Sequence, residues 1–426
     1  MNRYEFVQRL HGLDLVKARK YLSKSVQYTM EERLKEIVQY HLKHNKLYAS
    51  LIGNKAIKKF EDLPIIRKSD FQVPLESIIS DDYKLKDLYV GNTSGSSGHP
   101  FFYAKNKESH AVVHAIIERL YSLHGLSVCD KQARFYGIPD SGLSRHIELT
   151  KDLLLNRVRF PIFDLSEGAM ENFIRKFKGK KFVYIYGYTS AIVLLSKYIL
   201  KKGYNFQDIC PTIKACIVTS EVCTDMDRST IEKALGVKVI NEYGCSEAGM
   251  IAFEDQQGIW RLVEDDCYFE VVDNNGRLLP EGSEGRILIT NLSNKALPFI
   301  RYEVGDVGII SSDNKGRYLK ELSGRVSDII KLPSGKIAGG LTFYYVSRSI
   351  MEENIYIKEF IVRQTSIDTF EFDIVSDIPL SRELEDTLLQ KMNVYLEPGL
   401  KLRLNKVNHI IRPKSGKIKH FYSEIL

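Results

Sequence analysis

Six consecutive small residues, from Thr93 to Gly98, stand between an apolar stretch and an aromatic one. The order Thr-Ser-Gly-Ser-Ser-Gly, after Leu88-Tyr89-Val90 and before Phe101-Phe102-Tyr103, predicts a strand, a tight loop and a second strand. Glycines let the backbone approach a ligand closely, and backbone N–H groups in such a loop form a nest for anions. The loop is therefore a candidate polyphosphate site, formed by Thr93, Ser94, Gly95, Ser96, Ser97 and Gly98.

Alone, this pattern also fits a flexible Ser/Gly connector, which is the commoner use of such runs. It is not a Walker loop, because no Gly-Lys pair in the chain is followed by Ser or Thr. The dinucleotide fingerprint Gly-x-Gly-x-x-Gly and the esterase motif Gly-x-Ser-x-Gly are absent as well. The choice between a phosphate site and a connector therefore depends on the rest of the chain.

A second candidate stretch, Asn241 to Glu247, reads Asn-Glu-Tyr-Gly-Cys-Ser-Glu and follows an apolar segment. The ring of Tyr243 can stack on a nucleotide base, and the carboxylate of Glu247 can hold a Mg²⁺ ion that bridges phosphate oxygens. Gly244 and Ser246 belong to the same predicted nucleotide site. An ordinary strand-to-loop junction with a solvated glutamate is the alternative.

Four later residues complete the set of candidates. Asp306 follows a glycine turn and can accept hydrogen bonds from both ribose hydroxyls, whereas a simple turn aspartate is the alternative. Arg325 can reach the ribose or the α-phosphate, and Ser327, two residues later, can act as a hinge. Lys417 stands on a Ser-Gly turn near the C-terminus, where a solvated basic tail is the alternative.

The bulk composition is that of an ordinary globular protein, with 44% hydrophobic and 27% charged residues in 426. The net charge of +7 is concentrated from Lys401 onward, where seven Lys and Arg residues face Glu424 alone. Such a tail fits nucleic-acid binding, a solvated surface or a small basic domain that faces phosphates. The six cysteines lack metal-site spacing, and neither a signal-peptide core nor a long apolar run occurs, so we expect a cytoplasmic protein without a membrane span.

Hydrophobic periodicity predicts the elements that must position these residues. Residues 1 to about 60 and Ser109 to His124 have helical periodicity. From residue 133 onward, apolar strands alternate with helices. The predicted strands are 133–138, 182–186, 213–219 and 237–242, and the predicted helices are 166–178, 189–202 and 225–235. This alternation predicts an α/β fold with a largely parallel sheet and helices on its faces.

Two changes of pattern divide the rest of the chain. From about Trp260, short strands at 286–290, 307–311 and 318–322, separated by turn signals, predict a small β subdomain. Past Asp328, predicted strands at 360–364, 370–375 and 402–407 accompany a helix at 381–395. We therefore expect a separate α+β domain at the C-terminal end.

Together, these stretches resemble the adenylate-forming superfamily of acyl-coenzyme A synthetases, peptide-synthetase adenylation domains and luciferases. Within it, the chain is most similar to the phenylacetate–coenzyme A ligase family, and in particular to its capsular polysaccharide biosynthesis branch. The resemblance spans about residues 45 to 420. The matching pieces are Thr-Ser-Gly-Ser-Ser-Gly-His-Pro, Gly-Tyr-Thr-Ser, Thr-Ser-Glu, Tyr-Gly-Cys-Ser-Glu, Arg-Tyr-Glu-Val-Gly-Asp, Gly-Arg-Val-Ser-Asp and the late Ser-Gly-Lys.

The resemblance implies an N-terminal adenylation domain at residues 1–327, which carries the ATP and acid site, and a mobile C-terminal lid at residues 328–426. It also implies that ATP and Mg²⁺ are the cofactors, with coenzyme A as one candidate acceptor. In that scheme Thr93 to Gly98 cradle the β- and γ-phosphates, and Lys417 bridges the acid carboxylate and the α-phosphate. The other implied roles are those of Tyr243, Ser220 and Glu221 at adenine, Asp306 and Arg325 at the ribose, Glu247 at the metal and Ser327 at the hinge.

The implied acid pocket lies near the ends of two predicted strands and beside the Tyr-Gly-Cys stretch. Its predicted residues are Phe135, Tyr136, Gly137, Tyr186, Gly187 and Cys245. The aromatic side chains suggest an apolar or aromatic acid, although aromatic residues also fill ordinary protein cores.

Three functions compete at this point. A thioester-forming ligase is first: it activates a small carboxylic acid in an AMP-forming reaction and passes the acyl group to a thiol. A ligase that acylates an amine or a sugar, or an adenylyltransferase without a coenzyme A step, is second, because Lys331 to Gly340 departs from the Arg-Gly-x-Asn-x-Phe-Pro segment of the phenylacetate ligases. The third is a basic nucleic-acid-binding protein. The nucleotide motifs argue against it, so no nucleic-acid partner is expected.

Overall fold

The described chain begins with helices, as the periodicity predicts. The structure is a computed structural model that describes residues 2–54, 57–71, 73–93, 101–137, 142–162, 165–325, 329–335, 337–339, 343, 346, 356–411 and 421–425. The first helices are α1 (Arg3–Leu10), α2 (Leu15–Ser25), α3 (Met30–His44) and α4 (Lys46–Ile52). Asn2 and Thr29 cap α1 and α3 in capping boxes, which satisfy backbone N–H groups that a helix leaves unpaired at its start.

The two strands predicted to flank the phosphate loop are present. Strand β1 (Tyr89–Thr93) pairs antiparallel with β2 (Phe101–Lys105), and Thr93 lies opposite Phe101. Residues 94–100 between them are outside the described residues. Helix α5 (Lys107–Ser122) follows β2 and buries Val112, Ile116 and Leu120 on one face, as its apolar spacing predicts.

In the described part of the chain, eleven strands form one mixed sheet. In chain order they are β3 (Gln132–Phe135), β4 (Arg157–Phe160), β5 (Tyr184–Tyr188), β6 (Ala215–Thr219), β7 (Lys238–Cys245), β8 (Gly249–Glu254), β9 (Trp260–Leu262), β10 (Cys267–Val272), β11 (Glu284–Asn291), β12 (Tyr302–Asp313) and β13 (Gly316–Arg325). Their spatial order is β10-β11-β12-β13-β9-β8-β7-β6-β5-β3-β4. The neighbours β7, β6, β5, β3 and β4 run parallel, so their carboxyl ends meet at one edge.

Helices cover both faces of the parallel part of this sheet. They are α6 (Gly142–Leu154), α7 (Glu167–Phe177), α8 (Thr189–Lys202), α9 (Phe206–Ile209) and α10 (Asp225–Leu235). Successive strand residues point to opposite faces. Phe135 and Ile185 accordingly pack in one core with residues of α7, α8 and α10, whereas Tyr184 and Ile217 pack in another with residues of α2 and α5.

The predicted α/β fold class is confirmed, and the structure adds elements that the sequence pattern did not predict. Helix α6 and strand β4 were both missed; β4 is only four residues long and reads Arg-Val-Arg-Phe, which has little apolar signal. The strands predicted as a small β subdomain, β11 to β13, are hydrogen-bonded into the same large sheet. Asp306, on β12, therefore belongs to the same sheet as the parallel strands.

The C-terminal region has its own sheet and its own core. Its described elements are β14 (Ile329–Lys331), β15 (Ile337–Gly339), β16 (Ile357–Ser366), β17 (Thr369–Ser376), α11 (Arg382–Tyr395), β18 (Lys401–Lys406) and β19 (Phe421–Ser423). Among them, β18, β17, β16 and β19 form a mixed sheet, and β14 pairs with β15. Phe372, Leu388 and Met392 are buried in a hydrophobic cluster built only from residues between 330 and 421.

Candidate active site

The structure brings together three residues predicted to hold the nucleoside. Tyr243 lies on β7 and donates a hydrogen bond from its hydroxyl to Oδ2 of Asp306 on β12. Asp306 lies opposite Arg325 of β13 in the antiparallel register. The predicted glycine turn before Asp306 is wrong, because β12 continues through it; Gly305 instead has a positive φ of 84° inside the strand. Asp306 therefore presents a buried carboxylate from a strand rather than from a turn.

Trp260 is a site neighbour that the sequence reasoning missed. Its ring centroid lies 5.8 Å from that of Tyr243, and its Nε1 donates to the carbonyl oxygen of Asn241 at 3.2 Å. This contact holds the tryptophan against the backbone of β7 and limits where the Tyr243 ring can lie. That Trp260 is the single tryptophan of the chain was the only signal in the sequence.

Glu247, the predicted metal ligand, is buried two residues after the end of β7. Its Oε1 accepts a hydrogen bond from the hydroxyl of Tyr302 at 2.9 Å, and both residues are buried. Burial, together with the Glu247 carboxylate, raises the pKa of the neighbouring Cys245 thiol well above its usual value. A single carboxylate fits Mg²⁺ that takes its other ligands from phosphate oxygens and water. Among the described residues, the cluster with metal-ligand spacing is instead His44, Asp81 and Asp82, on the surface near α3.

Ser220 and Glu221 follow β6 at the carboxyl edge. Ser220 has φ +72°, a conformation that is uncommon for a residue other than glycine and that concentrates at functional sites. The Glu221 carboxylate accepts the backbone N–H of Ser190 at 2.7 Å, and the Glu221 carbonyl accepts the Thr189 hydroxyl at 3.3 Å. Glu221 therefore holds the first turn of α8 against the end of β6.

The predicted acid-pocket residues divide between the two faces of the sheet. The Phe135 ring is fully buried in the core beside α7 and stacks on Phe160, with their centroids 4.8 Å apart. Tyr186 stands on the other face, and the Tyr136 ring, just past the end of β3, lies nearly parallel to it with the centroids 5.7 Å apart and also lies 4.5 Å from the Tyr188 centroid. Gly187 packs directly against β3, because a Cβ atom there would lie 2.3 Å from the carbonyl oxygen of Phe135. Phe135 and Gly187 therefore bring β3 and β5 close together, and the rings of Tyr136 and Tyr186 lie next to each other beside this contact.

Two arginines of neighbouring strands support this region, and sequence reasoning assigned neither of them. Arg159 of β4 donates to the Gly137 carbonyl at 2.6 Å and is held by Asp152, at 2.6 Å, and Glu148, at 2.9 Å. Arg134 of β3 lies with its guanidinium carbon 4.2 Å from the Tyr136 ring centroid. Period-two alternation placed Arg134 on the face of Tyr136, which was an available signal.

Several predicted residues cannot be placed. Ser94, Gly95, Ser96, Ser97, Gly98, Ser327 and Lys417 lie outside the described residues, and for Thr93 and Arg325 the structure describes the backbone alone. In the described part of the chain, no helix is both long and apolar enough to span a membrane. The described arrangement places a hydrogen-bonded tyrosine and aspartate, a buried glutamate and two accessible tyrosines at the carboxyl ends of parallel strands, where α/β proteins commonly bind ligands.

Comparison with curated proteins confirms the resemblance indicated by the motifs. The chain is 25% identical over 423 residues to a phenylacetate–coenzyme A ligase of Thermus thermophilus, covering 91% of this chain and 89% of the relative. It is 22% identical over 315 residues to protein CapK of Staphylococcus aureus, covering 70% of this chain and 68% of the relative. No protein-family model matches the chain.

Comparison with solved structures confirms the fold. A 2-hydroxyisobutyryl-CoA ligase in the postadenylation state, in complex with 2-HIB-AMP, matches with a TM-score of 0.71 at 18% identity, over 92% of this chain and 88% of that chain. The amide bond synthetase McbA from Marinactinospora thermotolerans matches with a TM-score of 0.54 at 17% identity, over 78% of this chain and 67% of that chain.

Proposed function

We propose that this protein, which has the fold of AMP-forming ligases and phenylacetate–coenzyme A ligases and CapK among its relatives, activates a carboxylic acid with ATP. A carboxylate oxygen of the acid attacks the α-phosphorus of ATP. The bond from that phosphorus to the oxygen leading to the β-phosphate breaks, and pyrophosphate leaves. An acceptor then attacks the carbonyl carbon of the acyl-adenylate, and AMP leaves. The observation that carries this proposal is the convergence of Tyr243 and Asp306, predicted independently, in one hydrogen-bonded pair.

In the first step, negative charge concentrates on the oxygens of the α-phosphoryl group, so catalysis is mainly positioning and electrostatic stabilisation. We infer that Asp306 accepts the ribose hydroxyls and that Tyr243, fixed by Asp306 and flanked by Trp260, covers adenine. Arg325, opposite Asp306 in the sheet, serves the ribose or the α-phosphate. Ser220 and Glu221, at the end of β6, lie at the adenine edge in this proposal.

Glu247 is the residue of this chain that would hold Mg²⁺. When bound, the ion would neutralise charge on the phosphate oxygens. The Tyr302 hydroxyl orients the Glu247 carboxylate by a hydrogen bond to Oε1. The Thr93–Gly98 loop is proposed to cradle the β- and γ-phosphates, and Lys417 is proposed to bridge the carboxylate and the α-phosphate.

The proposed acceptor is the thiol of coenzyme A, as the names of the phenylacetate–coenzyme A ligase relatives suggest. A second candidate is an amine or a sugar, and two observations favour it. One is that protein CapK is among the relatives, and the other is the segment after β14 (Ile329–Lys331), whose sequence departs from that of the phenylacetate ligases. A turn-containing hairpin of β14 and β15 (Ile337–Gly339) occupies that place.

The test is acid-dependent pyrophosphate release from ATP with a broad panel of carboxylic acids. The acyl-adenylate then formed is offered coenzyme A, an amine or an amino sugar, and the product is identified by mass. Thioester formation supports the first candidate, and amide or ester formation supports the second. ATP binding without pyrophosphate release across the whole panel would overturn the proposal.

Lys417 offers the sharper test of the first step. The variant Lys417→Ala should bind ATP nearly normally but form adenylate at least about 10²-fold more slowly, the scale expected for one preorganised charge-stabilising donor. Lys414→Ala and Lys419→Ala are matched controls in the same basic stretch and should lose little. Equal small losses in all three variants would show that the stretch is only a basic surface.

A further inference from the structure

Where β3 and β5 end, neighbouring side chains differ in how completely they are buried. Ala133, Phe135 and Ile185 point toward α7 and α8 and are completely buried. Tyr186 packs against the core on the α5 side, and the guanidinium of Arg134 lies over the Tyr186 ring and over the Tyr136 ring, which also contacts Tyr188. All three side chains keep part of their surface accessible. The side chains facing α7 and α8 are therefore completely buried, whereas these three remain partly accessible.

Arg134 has a hydrogen-bond donor, its Nε, that no described group accepts from. Its guanidinium lies over the rings of Tyr136 and Tyr186, at 4.2 and 5.0 Å from their centroids. Its Nη1 donates to Gln132 at 3.3 Å, but its Nε is buried and has no partner in the described structure. Within the described residues no carboxylate lies within ion-pair distance of it. A buried donor without a partner costs free energy, so a ligand oxygen that pairs with it gains more than it would in water.

Glu242 completes this wall from β7. Its carboxylate accepts the Tyr186 hydroxyl at 2.8 Å and the Tyr121 hydroxyl at 3.4 Å. Burial raises the pKa of Glu242. The carboxyl group fixes the Tyr186 ring by this hydrogen bond. Arg134 lies against the Tyr186 and Tyr136 rings, so both tyrosines set its position. The wall is thus preorganised and polar, unlike a pocket built for a purely hydrocarbon acid.

We propose that Arg134 binds a second oxygen-bearing group of the acid substrate, a hydroxyl or a carboxylate remote from the carboxylate that is activated. The inference rests on the proposed function, because it uses the same acid pocket. An acid without such a group would leave the Arg134 Nε unpaired. Sites built to hydrogen-bond a substrate group discriminate strongly against analogues that lack it.

The test compares matched acids in pyrophosphate release by the full chain. One series is phenylacetate, 4-hydroxyphenylacetate and 4-carboxyphenylacetate, and the other is butyrate, 4-hydroxybutyrate and succinate. In at least one series, an oxygen-bearing acid should exceed its parent in kcat/KM by about 10- to 100-fold, the scale of one hydrogen bond to a charged group. The hydroxyl and carboxylate members distinguish the two groups that Arg134 can bind.

Arg134→Met should reduce the ratio of kcat/KM for the oxygen-bearing acid to that for its parent to about 1, whereas Arg134→Lys should keep part of this preference for the carboxylate member. Arg175→Met, which removes an exposed arginine from α7, is the control for lost positive charge and should keep the wild-type preference. The kcat/KM values of the wild-type protein for the matched acids test the inference even if Arg134→Met does not fold. Parent acids that react as well as their oxygen-bearing partners would overturn the inference and leave the proposed function standing. No release from any of the six acids would also overturn it, and the proposed function would then be judged on the broad acid panel.

Discussion

At the scale of single residues, the candidate site depends on hydrogen bonds that lock acidic and aromatic side chains in pairs. Asp306 is held by Tyr243, and Glu247 is held by Tyr302. In each pair a tyrosine hydroxyl donates to a buried carboxylate and so fixes its orientation before a ligand binds. Preorganised groups of this kind bind a ligand without a further entropic cost at that moment.

Asp306→Ala should weaken ATP binding by a few kcal/mol, since each lost hydrogen bond to a charged group costs about 1.5–3 kcal/mol. Tyr243→Phe keeps the ring and loses the hydroxyl that donates to Asp306, so it should weaken ATP binding by about 1 kcal/mol. Isothermal calorimetry with a non-hydrolysable ATP analogue measures both. Asp313→Ala, on the same strand but far from the site, is the control. Wild-type affinity in Asp306→Ala would make Asp306 a structural residue only.

A further buried carboxyl group, that of Asp266, lies outside the proposed site and makes stability depend on pH. Burial raises the pKa of Asp266 to about 6, although the Ser293 and Tyr21 hydroxyls donate to it. A pKa above that of the unfolded chain means that the folded state binds the proton more tightly. This contribution to stability is full below the unfolded pKa and is lost as pH rises through about 6.

Asp266→Asn should remove that dependence. The stability of the wild type relative to Asp266→Asn should therefore be greater at pH 5 than at pH 7. Urea unfolding of both proteins at the two pH values measures the difference. The same difference at both pH values would mean that Asp266 titrates alike in the folded and unfolded chains.

At the scale of elements, the contact between β3 and β5 determines the geometry of the proposed acid pocket. Gly187 allows this contact, because any Cβ there would meet the Phe135 carbonyl. The two strands carry Tyr136 and Tyr186 side by side. A wider separation of β3 and β5 would change the spacing of the tyrosines against which Arg134 stacks.

Gly187→Ala should destabilise the fold by about 1–3 kcal/mol or more, the range for overpacking a close contact. Gly168→Ala is the matched control, for which we expect the opposite change in stability. Gly168 lies in α7, and a Cβ atom there would have room. Alanine should therefore stabilise the helix by about 0.5–1 kcal/mol. Urea denaturation of the two variants gives both values. An unchanged midpoint for Gly187→Ala would show that β3 and β5 can separate at little cost.

At the scale of the whole molecule, the described hydrophobic clusters of the large sheet and of the C-terminal region share no residue. The clusters of the large sheet contain residues up to Leu322, and the C-terminal cluster contains residues from Ile330 onward. Each part therefore buries apolar surface of its own, which is the usual condition for independent folding. The predicted boundary at Ser327 and Asp328 lies between these two groups.

A fragment of residues 1–325 should fold cooperatively and bind ATP close to the full-length affinity. It should lose adenylate formation by at least about 10²-fold, because it lacks Lys417, the proposed charge-stabilising donor. Circular dichroism during urea unfolding, calorimetry and pyrophosphate release measure the three properties. The full-length Lys417→Ala variant is the matched comparison. A fragment that retains full activity would show that the C-terminal region takes no part in acid activation.

The sequence by itself determined the α/β rhythm, and it predicted the separate C-terminal region and the nucleotide residues, since these depend on local periodicity and on short contiguous strings such as Asn241 to Glu247. Its errors were local too: β4 was too short and too polar to show a strand pattern, and the turn expected before Asp306 was a positive-φ glycine within β12.

Only the tertiary structure decided which distant side chains meet. Glu242 and Tyr186 come together because β7 and β5 flank β6, and Trp260 reaches Tyr243 because β9 pairs with β8 beside β7. Likewise, Phe135 lies in the core, whereas the guanidinium of Arg134, its neighbour in sequence, lies over the Tyr186 ring. Local alternation places neighbouring strand residues on opposite faces, but the order of the strands and what packs on each face are set by contacts over the whole chain.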